Sequence, residues 1–217
     1  MWKDLGMEMI ADATHQFVGA GQRVFQAFRF AETDEAHLDR LERWAELPHA
    51  ARVIDLGSGI GEVARRFQTR RPDLRFFLVN ISQAQLAYAP EFPHYCGDFC
   101  QVPEPDGSFD AALFCFSIGH AHREHALRSA FRFLRPGGIL FIYDMVRVAG
   151  DNRGMQSVSY LVEPRGAMEW TAHQVGFVQD LYLEPVDRWR HGEKILGPMF
   201  HTIFQGTVPA VWRYVKH

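Results

Sequence analysis

Asp55-Leu56-Gly57-Ser58-Gly59-Ile60-Gly61 sets a carboxylate two residues ahead of three glycines at alternate positions. Val53, Ile54 and Leu56 read as a short strand covered on both faces. From Glu62 the apolar residues Val63, Ala64 and Phe67 share one helical face. Glycines between a buried strand and a helix let the backbone turn sharply and approach a ligand, because no Cβ stands in the way. Such a turn holds a nucleotide-like cofactor against the start of the helix. The dinucleotide fingerprint G-x-G-x-x-G needs its third glycine one residue later, where this chain has Glu62. Asp55 would also repel a diphosphate. A carboxylate at that place suits a cofactor with a cationic amino-acid portion, met directly or through water or backbone groups.

The elements that must hold this loop follow from periodicity. Residues from about 10 to 47 read as helical, broken near Gly19 and Gly21 and again at Thr33-Asp34. There Leu38, Leu41, Trp44 and Ala45 recur at helical spacing, and Pro48 ends the run. Strands are expected over 52–56, 75–80, 94–96 and 109–116. Between them fall a helix reaching about residue 70 and another capped by Ser82. A helix over 123–134 carries the apolar stripe Ala126, Leu127, Ala130, Phe131 and Leu134. Arg135-Pro136-Gly137-Gly138 is expected to stop it, ahead of a fifth strand over 139–143. After Asp144 the alternation loosens, and a helix over 167–176 precedes strands over 177–183 and 208–215. This order predicts an α/β fold: a doubly wound, mostly parallel, seven-stranded sheet with an N-terminal helical segment. Ligands of such sheets bind outside the carboxyl ends of the strands. Asp55, Asn80, Asp98, Ser117 and Asp144 all fall there.

Taken together, the stretch from Arg52 to Asp144 resembles the class I S-adenosylmethionine-dependent methyltransferases, whose first motif has the form D-x-G-x-G-x-G. Gly97-Asp98-Phe99 matches the short family motif after the third strand. Phe109-Asp110 with the apolar strand behind it, and Leu134-Arg135-Pro136-Gly137-Gly138, match two more. The resemblance implies a Rossmann-like fold and S-adenosyl-L-methionine as cofactor. It sets Asp55, Gly57, Ser58 and Gly59 against the methionine portion and has Asp98 bond the adenine amino group. Many relatives grip both ribose hydroxyls with an Asp or Glu at the end of the second strand. Here the residue is Asn80, whose amide can donate to one hydroxyl and accept from another but adds no charge. Asn80-Ile81-Ser82-Gln83-Ala84-Gln85 is similar to a subgroup that acts on alkene carbons: prenyl diphosphate, sterol and cyclopropane-forming enzymes. In that subgroup the glutamine corresponding to Gln85 helps position the ribose. A plain capped helix explains Ser82 but not Gln85. Ile81, Phe99 and Phe116 complete the expected cofactor-binding set.

Such a methyl group is already activated, so catalysis reduces to alignment and the handling of one proton or charge. An oxygen or nitrogen acceptor wants a general base. An alkene acceptor develops positive charge, which aromatic faces stabilise until a base removes a proton. The chain has 18 Phe, 6 Tyr and 5 Trp. Phe76, Phe77 and Phe141 are read as core; Phe25, Phe28, Phe30, Trp170, Phe200 and Phe204 lie outside the central sheet and divide between pocket wall and core. His120 is the leading candidate base, with Glu169, Tyr143 and Tyr160 behind it; the rival reading makes His120 a helix-entry residue without chemistry. His120, His122 and His125 invite a metal, but His122 and His125 stand beside Arg123 and Glu124 on a polar turn, and no protein-bound metal is expected. Arg147, Arg153, Arg188, Arg190, His191, Lys194 and His201 gather after the fifth strand. They would either grip a diphosphate, with Mg2+ bridging its oxygens, or face solvent. The favoured reading is C-methylation of an isoprenoid diphosphate or similar alkene in small-molecule biosynthesis. The alternatives are an O- or N-methyltransferase of a small natural product or metabolite, and a non-catalytic cofactor-binding partner subunit.

At 217 residues the chain suits one methyltransferase domain. Residues 1–50 are read as a helical lid, 51–145 as the cofactor-binding core, and 146–217 as the substrate-side lid with the last strands. A net charge of -3 without a long basic run disfavours nucleic acid as a partner. Lys3, Asp4, Glu8, Asp12 and Arg23 interrupt the apolar positions near the start, against a signal peptide. No apolar run reaches membrane-spanning length, so no membrane insertion is expected. Cys96, Cys100 and Cys115 are an odd set without C-x-x-C spacing, read as reduced thiols of a cytoplasmic protein. A small-molecule substrate is the expected partner, and a homo-oligomer is left open.

Overall fold

The computed structural model describes residues 12, 14–21, 23, 26–151, 153–156, 159–186, 190, 193 and 197–217. Helix α1 (Asp34–Ala45) is capped by Thr33, whose side chain accepts from Ala36 N, and carries Asp34 and Glu35 in its first turn. Strand β1 (Arg52–Leu56) leads through the glycine turn into α2 (Glu62–Arg70). Next come β2 (Arg75–Asn80), the short α3 (Gln83–Leu86) capped by Ser82, and β3 (His94–Cys96). Strand β4 (Phe109–Cys115) ends in a 3₁₀ turn, Ile118–His120, before α4 (Arg123–Phe133) and β5 (Leu134–Arg147). The chain closes with α5 (Arg153–Gln156), α6 (Ala167–Val175), β6 (Phe177–Leu183), α7 (Met199–Ile203) and β7 (Thr207–Lys216).

The seven strands lie in the order β3-β2-β1-β4-β5-β7-β6. Strands β1 to β5 pair in parallel, and β7 runs antiparallel to both of its neighbours. The doubly wound, mostly parallel sheet expected from the sequence is therefore present. The strand order reverses between β1 and β4, which is where a crevice opens at the carboxyl ends. One face packs Leu38 and Leu41 of α1 and Val63 and Phe67 of α2 on Val53, Leu113 and Phe141. The other packs Ala126, Leu127 and Phe133 of α4 and Met168 of α6 on Ile54, Phe114, Ile142 and Trp212. Among the described residues no helix is long and apolar enough to cross a membrane.

Strand five differs from the expected 139–143. It begins at Leu134, directly off α4, because Arg135-Pro136-Gly137-Gly138 forms an irregularity within the strand rather than a helix stop alone. Phe109 pairs with Leu134 and Ala111 with Ile139, and Gly137 takes φ 76° to absorb the extra residues. The strand also continues past Asp144 to Arg147, since Met145 and Val146 pair with Pro209 and Val208 of β7. Asp110 lies at the opposite end of the sheet from the crevice. It accepts Arg52 N at 2.7 Å and pairs with Arg135, so it ties together the starts of three strands.

The early third glycine has a packing cause. Gly61 caps α2 at φ 75°, and a Cβ there would come 2.7 Å from Ala89 Cβ and 3.1 Å from Leu78 Cδ1. Helix α2 thus sits too close to β2 and the segment after α3 for any larger residue. We expect Gly61→Ala to lose about 2–4 kcal/mol, from left-handed backbone strain plus overpacking. Urea unfolding checks this, and unchanged stability would remove the packing explanation.

Candidate cofactor and acceptor site

Asp55 is 1% exposed, and neither carboxylate oxygen has a hydrogen-bond partner among the described residues. Burial raises its pKa to about 7. The loop beyond it is pinned by Gly57 N and Ser58 N, which both donate to Val79 O of β2. A Cβ on Gly57 would lie 2.4 Å from Ser117 Cβ, and Ser117 Oγ donates to Leu56 O at 2.6 Å. Glycine is therefore required where β1 and β4 diverge. Gly59 is different: at φ 57° its missing Cβ would point into open space, with nothing within 4 Å. The same loop carries a buried Ser58 Oγ without a hydrogen-bond partner among the described residues.

Asn80 closes the next strand end. Its Nδ2 donates to Gln85 Oε1 at 2.7 Å, with Gly59 O and Ser82 O at 3.5 Å. Gly97 N donates to Asn80 O, which brings the β3 turn alongside. Asp98 is exposed with Oδ1 accepting Cys100 N at 2.8 Å, and Phe99 packs edge-on against Phe114. Ile81, 50% exposed, follows Asn80 at the rim. Phe116 ends β4 at φ 64°, a left-handed conformation that a bulky residue adopts only when held there. The ten expected cofactor residues thus stand along the carboxyl ends of β1 to β4 or, for Gln85, bonded to one of them.

The three expected catalytic residues do not stay together. His120 remains at the carboxyl end of β4, exposed at its edge, with its ring centroid 4.7 Å from that of Tyr160. Desolvation by its neighbours lowers its pKa, opposed by a backbone hydrogen bond at Ser159. Tyr143 must be corrected: it is fully buried in the α1 face of the core, its hydroxyl donates to Phe28 O at 2.6 Å, and burial drives its pKa well above the ordinary range. Glu169 must be corrected as well. Its Oε1 accepts Trp212 Nε1 at 2.8 Å, which fastens α6 to β7.

Asp144 holds this end of the fold together, a role its place at a strand end did not reveal. Its carboxylate accepts Tyr160 OH, Ile118 N at 3.2 Å, Met145 N at 2.7 Å and Ser117 N. Burial still raises its pKa, to about 6, against those hydrogen bonds. Gly119 is needed for the same contact, because a Cβ would fall 2.2 Å from Tyr160 Cε1. Tyr160 in turn stacks on Phe116 with ring centroids 5.6 Å apart. From Phe116 the aromatic group continues through Phe204 to Phe28 and Phe200. Those last three line a cavity of about 480 Å3 with Arg190, His201, Thr202, Gln205, Gly206 and Thr207. A second, water-sized cavity of about 20 Å3 lies behind Asp144, between Ile118, Met168 and Trp212. Phe30 belongs to the core, and Trp170 is 67% exposed on α6.

Of the expected cationic group, Arg190 and His201 both line the cavity of about 480 Å3. Arg153 pairs with Asp151, His201 pairs with Glu193 at 2.7 Å, and Arg147 donates to Gly150 O. Phe25, Arg188, His191 and Lys194 lie outside the described residues. His122 and His125 have ring centroids 5.1 Å apart, yet no group of three or more His, Cys, Asp or Glu among the described residues could hold a metal ion.

The fold is that of the class I, Rossmann-like methyltransferases, and residues 54–142 match the family model described as a methyltransferase domain. Methyltransferases of this class use S-adenosylmethionine as cofactor. It is similar to the ubiquinone/menaquinone biosynthesis C-methyltransferase UbiE of Methylobacterium nodulans, 32% identical over 126 residues, covering 52% of this chain and 50% of the relative. It is also similar to the 27-O-demethylrifamycin SV methyltransferase of Amycolatopsis mediterranei, 33% identical over 121 residues, with 51% and 44% covered. The chain spans about half the length of the curated relatives it matches. Its fold is shared with the [4+2]-cyclase SpnF at TM-score 0.79 and 20% identity, covering 98% and 94% of the two chains. It is shared too with the geranyl diphosphate C-methyltransferase of Streptomyces coelicolor, solved with Mg2+, geranyl diphosphate and S-adenosyl-L-homocysteine, at TM-score 0.75 and 13% identity, covering 85% and 79%.

The residues present fit the cofactor, since Asp55 offers an unpaired buried carboxylate and Gly59 an open cradle. Asp55 also carries a cost. A carboxyl raised from 3.8 to about 7 keeps in the folded state a proton that the unfolded chain releases, so stability falls as pH rises between those values. The loss above neutral pH is on the order of 4 kcal/mol. We expect Asp55→Asn to flatten that fall in ligand-free protein while weakening S-adenosylhomocysteine binding at least tenfold. Thermal unfolding against pH, with calorimetric titration, checks both; an unchanged pH slope would mean that Asp55 is not the strained group.

Proposed function

We propose that the chain transfers a methyl group from S-adenosylmethionine to a small, largely apolar molecule, with an alkene carbon of an isoprenoid diphosphate or similar acceptor favoured. The observation that carries the acceptor class is the aromatic run from Phe116 and Tyr160 through Phe204 to Phe28 and Phe200, which ends on a cavity wall. S-adenosylmethionine, when bound, supplies a methyl group carried on a positively charged sulfur. Asp55 would hold the cationic amino-acid portion and Asp98 the adenine amino group. Phe116, held in its strained backbone between the glycine loop and Tyr160, would set the acceptor against the reacting end. Ring faces along this run would exclude water and stabilise positive charge as it develops on the acceptor. His120, with its lowered pKa, is neutral at pH 7 and would accept the proton that leaves. Arg190 and His201 line the cavity and would face an acidic group of the acceptor, with Mg2+ entering only alongside a diphosphate.

Similarity to the UbiE C-methyltransferases and shared fold with the geranyl diphosphate enzyme support the carbon reading. Similarity to the rifamycin enzyme supports transfer to an oxygen or nitrogen of a small natural product or metabolite as the second reading. Free cysteines suit a cytoplasmic setting. Because the same fold serves a cyclase, binding alone does not decide the reaction, and label must be followed. Methyl-labelled cofactor incubated with isoprenoid diphosphates is expected to label them, and transfer to phenols or amines instead would move the reading to oxygen or nitrogen. Binding without transfer to any acceptor would favour a non-catalytic partner subunit. His120→Ala is expected to keep S-adenosylhomocysteine affinity within about twofold and slow turnover by about 100-fold or more. Undiminished turnover would make His120 structural.

A further inference from the structure

We propose that Thr14 is a positioning residue for the cofactor's ribose, acting through Gln85 on Asn80; the proposal rests on the placement of Asn80 at the ribose. Asn80 Nδ2 faces Gly59 O and Ser82 O as well as Gln85 Oε1. Two of these are backbone carbonyls, which only accept, so the orientation of the Asn80 amide follows without choice. Gln85 must then present Oε1 to Asn80, which turns its Nε2 to Thr14 Oγ1 at 3.0 Å. One amide fixes the next. No hydrogen bond among the described residues uses Asn80 Oδ1, on a side chain whose Nδ2 lies 3.5 Å from Gly59 O. A ribose hydroxyl would donate to Asn80 Oδ1.

Thr14 is 2% exposed and sits in the helical stretch 14–19, about seventy positions from Gln85 in the chain. The neighbouring His15 makes a second tie just past α3, with Nδ1 2.6 Å from Tyr88 OH and the rings edge to face at 5.8 Å. The N-terminal strap is thus docked over α3 by the group that orients the ribose acceptor. Without Thr14, Gln85 is released to rotate, and Asn80 loses the 2.7 Å acceptor that holds it, keeping only two backbone carbonyls at 3.5 Å. Strap docking and ribose binding are then coupled, and each strengthens the other by the same factor.

The test is a calorimetric cycle on the full chain with S-adenosylhomocysteine and its 2′,3′-dideoxy analogue. Wild type is expected to lose about tenfold in affinity for the analogue, the scale of one or two hydrogen bonds. Thr14→Val is expected to lose about five- to tenfold for S-adenosylhomocysteine and to show a deoxy penalty below twofold, because the coupled terms are not additive. Thr14→Ser, which keeps the acceptor oxygen, should restore the wild-type pattern, and Gln85→Leu should reproduce that of Thr14→Val. Equal losses for both ligands in Thr14→Val, or none, would overturn the relay while leaving the cofactor reading in place. A wild-type chain that binds neither ligand would overturn that reading and the relay with it.

Discussion

A buried carboxyl group with no hydrogen-bond partner in the described structure is the constraint around which this fold is arranged. Asp55 points into the α1 and α2 face of the sheet, between Leu78 and Leu113 in strand register. Asp144, on β5, is equally buried but receives four donors, and its pKa rises less, to about 6 against about 7. The comparison separates two uses of a buried acid. Asp144 is satisfied within the chain and joins β5, the turn after β4 and Tyr160 into one unit. Asp55 has no such partner among the described residues, and burial makes its charged form costly.

The two ends of the sheet divide the labour. At the amino ends, Asp110 and Arg135 bind strands to one another, and the proline–glycine–glycine irregularity of β5 is absorbed there. At the carboxyl ends, glycines 57, 59 and 61 each answer a different demand: divergence from Ser117, open space, and close approach of α2 to Ala89. Shared fold with both a geranyl diphosphate C-methyltransferase and a [4+2]-cyclase is consistent with this arrangement.

What could be read from the sequence was what is local. The loop, the strand ends and the seven-stranded order are written in short-range periodicity and in residue types at fixed spacing. Strand β5 was read short at both ends because Pro136 and Asp144 look like breakers, whereas pairing with β4 and β7 carries the strand through them. Tyr143 and Glu169 looked like acid–base candidates because their partners, Phe28 O and Trp212 Nε1, are distant in the chain. The same distance hid Asp144 as a junction and Thr14 as a partner of Gln85. Gly119, in contact with Tyr160, was a local signal for the first of these, legible once the turn after β4 was located.

Proton release on binding tests the role of Asp55 most directly. S-adenosylhomocysteine titrated at pH 7 into buffers of different ionisation enthalpy should release about half a proton per site, because a carboxyl with a pKa of about 7 is half protonated before it meets the ligand's ammonium group. The release should vanish in Asp55→Asn. Tight binding with no proton release by the wild-type chain would contradict the account, since Asp55 would then not be the group that receives the cofactor.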